Sequence, residues 1–124
     1  MRTVAAIVVL VLASAAAIGG CVTPSIPIPP PSPEQMQFEL DVTTGSGTFE
    51  YPANDNYAEA VVYVFNRSQG SGVITTARAD GSVGPTDPFP AAQDDEVAIT
   101  FETEVQTVST CVVLTVNGPR AECR

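Results

Sequence analysis

The sequence predicts an all-β protein built on a single antiparallel β-sandwich. From residue 36 onward, apolar residues alternate with polar ones at a period of two, which is typical of half-buried strands. These short runs are separated by turns rich in Gly, Pro, Asn and Asp, and none of them shows helical periodicity. A chain of 124 residues has room for one such domain.

Six or seven short strands are predicted, and six of them can be placed in order along the domain. The third is apolar on both faces, as a central strand would be. In the fifth, Val97, Ile99 and Phe101 share one face, which we expect to be buried. Residues 84–90 contain three prolines and are predicted to form a loop outside any sheet. The predicted strands cover residues 36–42, 48–51, 58–65, 73–79, 96–102 and 108–116.

The composition argues against several classes of function. The chain has no His and no Lys, so it lacks the base of Ser/His or Cys/His catalysis and the amine of Schiff-base chemistry. Its three cysteines are too few for an ordinary zinc site, and its net charge of −9 disfavours nucleic-acid binding. We therefore expect a protein without catalytic activity and without a cofactor.

Residues 1–20 have the organisation of a signal peptide. Arg2 gives a positive start, and the apolar run over residues 4–18 is shorter than the roughly 20 residues of a spanning helix. Cleavage would remove Arg2 and leave 14 acidic residues against four arginines, a net charge of −10. An uncleaved transmembrane anchor is the alternative interpretation.

The end of this leader carries a recognisable motif. Ile18, Gly19, Gly20 and Cys21 resemble a bacterial lipobox, in which an aliphatic residue and two small residues precede a cysteine. The resemblance implies lipid addition to the Cys21 thiol, cleavage before Cys21 and acylation of the new amino terminus. It places the protein in the cell envelope, attached to a membrane, and Val22 in place of Asp favours the outer membrane. The alternative is an ordinary secretory signal followed by a cysteine that enters a disulfide.

Residues 21–33 are predicted to be a tether. They contain six prolines in 13 residues, which excludes a helix or the interior of a sheet. In a polyproline II conformation they would span roughly 40 Å and hold the domain, residues 34–124, away from the lipid headgroups. A docking peptide for an aromatic groove is the alternative.

The segment from residue 60 to residue 116 is similar to bacterial immunoglobulin-like domains, whose repeats contain an ADGSF turn and a PAxxGD turn. Asp80, Gly81 and Ser82 match the first turn and Asp95 matches the Asp of the second. The matching stretches are VxN at residues 64–66, TTAxADGSV at residues 75–83, FPAAQDDEVAITF at residues 89–101, and Ser109 before the last strand.

This chain departs from the family pattern at two positions. Val83 replaces an aromatic residue of the first turn, and Asp94 replaces a Gly of the second. The resemblance implies an immunoglobulin-like sandwich that acts as a spacer, an adhesive unit or a binding scaffold rather than as an enzyme.

Cys111 and Cys123 are predicted to form a structural disulfide. If Cys21 carries lipid, they are the one intramolecular pair that remains, and a compartment outside the cytoplasm permits oxidation. Closing a loop of this size contributes roughly 3 kcal/mol in the chain-entropy model. A redox-active pair is the alternative, although the sequence contains no CxxC motif.

Acidic and aromatic residues in the loops are the remaining candidates for a site. Asp55, Asp94 and Asp95 could offer oxygen ligands to calcium from the ends of the sandwich, the alternative being solvated turn residues. Tyr57 and Phe89 are the aromatic residues that we expect to be most exposed, either as partner anchors or as caps on one end of the core.

Glu102 and Glu104 have the spacing of a glycosidase pair on one face of a strand. We expect that face to be exposed to solvent, so both carboxyl groups would stay hydrated.

Together these features predict a non-catalytic, lipid-anchored envelope lipoprotein that acts as a structural or protein-interaction module, with an envelope protein as its partner. The alternative is an adhesion or ligand-binding module that uses the acidic end loops for calcium or a carbohydrate. Because its charge is acidic throughout, we expect a monomer.

Overall fold

The fold is an all-β sandwich of two antiparallel sheets, which confirms the predicted fold class. The computed structural model describes residues 27–115 and 122–123, so the leader and Cys21 lie outside the described residues. Two short 3-10 helices, Pro33–Gln35 and Asp55–Tyr57, accompany the strands. The strands are β1 (Gln37–Asp41), β2 (Ser46–Glu50), β3 (Val61–Asn66), β4 (Ser71–Thr76), β5 (Phe89–Pro90), β6 (Glu96–Glu102) and β7 (Thr107–Val113).

The strands are ordered β1-β2-β5 in one sheet and β4-β3-β6-β7 in the other. Within the described residues, no helix is long and apolar enough to cross a membrane.

The core lies between the two sheets and follows the period-two pattern of the sequence. Val97, Ile99 and Phe101 are fully buried, as predicted, and they face the side chains of the opposite sheet. The ring of Phe101 stacks on that of Tyr57 at a centroid distance of 4.3 Å and meets the edge of Tyr51 at 5.4 Å. This aromatic cluster fills the space between the sheets where β6 ends.

The third strand is shorter and more exposed than predicted. Glu59 has a φ of +58°, which interrupts the extended backbone, and β3 therefore begins at Val61. Phe65 was expected to be buried in a strand apolar on both faces, but 46% of it is exposed. The reason is that only the inner face of this sheet is covered by the other sheet.

The sequence predicts that residues 84–90 form a loop outside any sheet, but the last two residues of this segment join a sheet. Phe89 and Pro90 form β5, which pairs with Gly47 and Ser46 of β2. A proline is tolerated here because β5 is an edge strand and does not need every N–H group for its ladder. Phe89 is buried, and so is Tyr57, so the prediction that these two aromatic residues are the most exposed was wrong.

The two turns that resemble the family pattern adopt the backbone conformations that their residues require. Gly81 has a φ of +82°, and a Cβ at this position would overlap the carbonyl oxygen of Asn54. Asp94, which stands where the family has Gly, has a φ of +72°. Asp tolerates this left-handed region better than most residues, and the turn is preserved.

Candidate functional site

Residues 27–33, here called the strap, pack along the sandwich beside β7. The backbone N–H of Ile28 donates a hydrogen bond to Oε1 of Gln106 at 2.6 Å. The hydroxyl of Thr110 donates to the carbonyl oxygen of Pro31 at 2.7 Å, and Pro31 is buried. The strap therefore belongs to the folded domain.

Two core tyrosines bind the strap from inside the sandwich. The hydroxyl of Tyr57 donates to the carbonyl oxygen of Pro29 at 2.6 Å, and the hydroxyl of Tyr51 accepts from the backbone N–H of Ser32 at 3.0 Å. Burial, together with the neighbouring Tyr51, raises the pKa of Tyr57 to about 12. The hydroxyl of Tyr57 therefore stays protonated and able to donate above pH 10, where an ordinary tyrosine ionises.

The docked strap revises the predicted tether. Residues 21–33 were expected to form a spacer of roughly 40 Å, but residues 27–33 lie against the domain. Pro27 follows Cys21 by six positions, and a chain of that length reaches at most roughly 20 Å. Prolines lack an N–H donor, but their carbonyl oxygens still accept hydrogen bonds from side chains of the domain.

The strap defines the two ends of the sandwich. Ile28 meets Gln106 in the turn between β6 and β7, and we call this the anchor end. The opposite end, which we call the far end, contains Asn66 at the close of β3 and Asp95 just before β6.

The sulfur atoms of Cys111 and Cys123 lie 1.95 Å apart, at disulfide distance, as predicted. The disulfide holds the C-terminal residues beside β7. Glu122 forms a β-bridge with Val112, and the N–H of Cys123 donates to the carbonyl oxygen of Cys111 at 3.1 Å. These residues cover part of the outer edge of β7.

A basic side chain from a distant part of the sequence lies beside this disulfide. The guanidinium of Arg67 is 3.6 Å from Sγ of Cys111. Arg67 is 44 positions from Cys111 along the chain, so the local sequence around the cysteines does not indicate this contact. The pairing of β3 with β6, and of β6 with β7, brings the two side chains together. A guanidinium stabilises a neighbouring thiolate, so reduction would leave Cys111 in an activating environment.

Asp95 is the centre of a polar cluster at the far end. Oδ2 of Asp95 accepts hydrogen bonds from Nδ2 of Asn66 at 2.8 Å, from Nε2 of Gln69 at 2.7 Å and from the N–H of Ala92 at 2.9 Å. Partial burial alone would raise the pKa of Asp95, but these three hydrogen bonds outweigh it and hold the pKa below its usual value.

The buried Asn66 completes this cluster. Its Oδ1 accepts from the N–H groups of Ser68 and Gln69, and its Nδ2 also donates to the carbonyl oxygen of Pro90. The cluster thus ties the β3–β4 hairpin to the turn before β6. The sequence signal for it is the VxN motif together with Asp95.

The structure does not bring the calcium candidates together. Asp55 lies in the 3-10 helix that precedes β3, whereas Asp94 and Asp95 lie beyond the other end of that strand. The carboxylate of Asp95 is already engaged by three donors of the protein. Among residues 27–115 and 122–123, no group of three His, Cys, Asp or Glu residues has a geometry that could hold a metal ion.

An open cleft of about 520 Å³ lies at the anchor end, lined by Ile28, Glu59, Glu102 and Glu104 among others. Glu102 is the last residue of β6 and accepts a hydrogen bond from the hydroxyl of Tyr63 at 3.2 Å. Glu104 lies beyond the strand, so the expectation that Glu102 and Glu104 share a strand face was wrong. The strand ends early because Thr103 forms a turn with Gln106.

Comparisons with protein-family models, with curated proteins and with solved structures gave no match to this chain.

Proposed function

We propose that this protein is a non-catalytic lipoprotein of the cell envelope, anchored through Cys21, whose β-sandwich serves as a structural or protein-interaction module held close to a membrane. The observation that carries the proposal is the position of the strap. The first described contact of the strap with the domain is made by Ile28, seven residues after the cysteine of the lipobox-like motif.

The strap determines which part of the domain faces the attachment point. Its first described contact is with Gln106 at the anchor end, so a lipid on Cys21 would hold this end within roughly 20 Å of the membrane surface. The hydrogen bonds from Thr110 and Tyr57 hold the strap against the domain near the attachment point.

The charge of the protein means that its membrane attachment must be hydrophobic or covalent rather than electrostatic. Glu59, Glu102 and Glu104 line the cleft at the anchor end, and a protein that carries a net charge of −10 after cleavage of the leader is repelled by anionic headgroups. Acyl chains contribute about 0.8 kcal/mol for each buried CH₂ group, and two or three chains hold a protein stably against such repulsion.

The two-sheet sandwich, together with the resemblance of residues 60–116 to bacterial immunoglobulin-like domains, supports a scaffold rather than an enzyme as the function of the domain. A sandwich of this kind presents sheet faces, sheet edges and end loops to other proteins. The absence of His and Lys from the whole sequence leaves few of the groups that catalysis commonly uses.

Metabolic labelling with an alkyne fatty acid tests the anchor. We expect the wild-type chain to incorporate the label and to fractionate with membranes, and the Cys21→Ser variant to lose both properties. The matched control is the Cys111→Ser/Cys123→Ser double variant, which removes the other two cysteines and should keep the label. Label that persists in Cys21→Ser, or a wild-type chain that is processed without label, would overturn the proposal.

A further inference from the structure

The disulfide joins two cysteines that the fold holds in different ways. Cys111 lies within β7, and each of the seven residues of this strand pairs with a residue of β6. Cys123 lies outside the sheets, where its N–H donates to the carbonyl oxygen of Cys111 and the neighbouring Glu122 forms a bridge with Val112. If the bond between the sulfur atoms opens, Cys111 therefore keeps its place in the sheet, whereas Cys123 is held only loosely by the contacts described.

The two sulfur atoms also differ in the charge beside them. The guanidinium of Arg67 lies 3.6 Å from Sγ of Cys111. Within the described part of the chain, Cys111 is the one side chain to which this guanidinium donates. The residue next to Cys123 is the exposed Glu122. A positive charge thus adjoins one sulfur, and a carboxylate neighbours the other cysteine in sequence.

This difference matters because a disulfide is opened by attack of a thiolate on one of its two sulfur atoms. The incoming sulfur bonds to the attacked sulfur, and the other protein sulfur leaves as a thiolate with the electron pair of the broken bond. Negative charge in the transition state lies mainly on the incoming and the leaving sulfur atoms. A fixed cation beside one protein sulfur therefore lowers the barrier most when that sulfur is the one that leaves.

We propose that the disulfide is opened by exchange with a thiol reductant that attacks Sγ of Cys123 and expels Cys111 as a thiolate beside Arg67. The first step joins the sulfur of the reductant to Cys123 in a mixed disulfide. A second thiolate of the reductant then attacks the reductant sulfur of that mixed disulfide, which forms the oxidised reductant and releases Cys123 as a thiolate. Two electrons pass from the reductant to the protein.

This order of attack makes Cys123 the residue that is modified and Cys111 the activated thiol that stays in the sheet. The sequence contains no CxxC motif, so the activating charge comes from another strand, through the pairing of β3 with β6 and of β6 with β7. Reduction removes the covalent link that holds Glu122 and Cys123 over the outer edge of β7. The inference does not depend on the lipid anchor, because none of its residues lies in the leader or the strap.

Mapping the mixed disulfide tests which sulfur is attacked. The full chain in detergent is treated briefly with 2-mercaptoethanol, free thiols are blocked with N-ethylmaleimide, and the product is digested with trypsin. Cleavage at Arg120 separates Cys111 from Cys123, and Cys21 falls in a third peptide. We expect the mercaptoethanol adduct on Cys123 and N-ethylmaleimide on Cys111, in roughly threefold or greater excess over the reverse pattern.

Arg67→Gln measures the contribution of the guanidinium. The backbone N–H of Arg67 donates to the carbonyl oxygen of Glu96 at 2.8 Å, and this bond does not involve the side chain, so the variant should fold. We expect the excess of adduct on Cys123 to fall by roughly threefold and reduction by dithiothreitol to become slower. Arg67→Lys keeps a cation and should retain most of the excess. The matched control is Arg78→Gln, which makes the same change of charge at an exposed arginine bonded to Ser82 and Gly84 and should leave the excess unchanged.

A protein reductant is tested by the same mapping with a thioredoxin whose second active-site cysteine is replaced by serine. A disulfide-linked complex through Cys123 supports a protein thiol as the reductant, and a mercaptoethanol adduct on Cys123 without such a complex supports a small thiol. Both results keep the proposed order of attack. Equal adduct on the two cysteines, an excess on Cys111, or an excess on Cys123 that Arg67→Gln and Arg78→Gln change equally would each overturn the proposal.

Discussion

The hydroxyl of Tyr57 donates a hydrogen bond to the carbonyl oxygen of Pro29, 2.6 Å away and 28 positions earlier in the chain. The phenol ring packs in the core against Phe101, while its hydroxyl reaches the strap. One side chain therefore couples the packing of the sandwich to the attachment of the segment that follows Cys21.

Replacing Tyr57 by Phe should separate these two roles. The ring stays in the core, and the hydrogen bond to Pro29 is lost, so we expect a decrease of about 1 kcal/mol in the free energy of unfolding. Hydrogen exchange should rise mainly at the amides of Ile28 and Ser32. The control is Tyr63→Phe, which removes the hydrogen bond to Glu102 on the outer face and should change stability by less than about 0.5 kcal/mol. Equal effects of the two variants would contradict the assigned role of Tyr57.

The raised pKa of Tyr57 predicts a loss of stability at high pH. The folded pKa is about 12, against an ordinary value of 10.0. Between these values the unfolded chain releases the proton more readily than the folded chain, so the contribution of Tyr57 is fully present below pH 10 and is lost as the pH rises towards 12. Absorbance of the phenolate should show a component that titrates near pH 12 and is absent in Tyr57→Phe, whereas the raised pKa of Tyr63, caused by the carboxylate of Glu102, should persist in that variant. A wild-type titration with every tyrosine ionising near pH 10 would contradict the buried hydroxyl.

The strands could be predicted from sequence because their signal is local. The side chains of Val97, Ile99 and Phe101 alternate with polar ones, and a strand with one buried face requires this pattern. Phe65 is also an apolar residue of a strand, but it alternates onto the outer face of its sheet, which the other sheet does not cover. Whether a side chain on the other face of a strand is buried depends on which sheet packs against that face. The local sequence does not contain this information.

The strap and the environment of Cys111 could not be predicted for the same reason. Pro31 accepts its hydrogen bond from Thr110, a donor 79 positions away, and the composition of residues 21–33 indicates only that they cannot join a sheet interior. The disulfide was predictable because counting cysteines left one pair. The proximity of Arg67 to Cys111 depends on the order of β3, β6 and β7.

The cluster around Asp95 predicts sensitivity to acid. The folded pKa of Asp95 is lowered, so its contribution to stability is fully present above the ordinary value of about 3.9 and is lost as the pH falls through the lower folded value. Asp95→Asn should destabilise the protein by about 2 kcal/mol at pH 7, because it weakens charge-assisted hydrogen bonds and places an amide against Nδ2 of Asn66. Urea denaturation at pH 7 and pH 3 should show that this difference shrinks in acid.

Asp94→Asn is the matched control for this experiment. The two aspartates are adjacent, and Asn tolerates the positive φ of +72° at residue 94. We expect a change of less than about 0.5 kcal/mol at either pH. A pH-independent loss in Asp95→Asn would assign the effect to packing rather than to the carboxylate.

Removing the disulfide tests how the C-terminal residues are held. The Cys111→Ala/Cys123→Ala variant should lose about 3 kcal/mol of unfolding free energy, since the bond closes a loop with a sequence separation of 12. Without the bond, the bridge between Glu122 and Val112 has little to hold it, so proteolysis after Arg120 should accelerate while the core strands stay protected. Arg67→Gln is the companion variant: it keeps the disulfide but removes the guanidinium beside Cys111, so reduced Cys111 should alkylate more slowly at pH 7. Unchanged alkylation would show that Arg67 does not act on the thiol, and an unchanged unfolding free energy in the double alanine variant would show that the bond does not stabilise the fold.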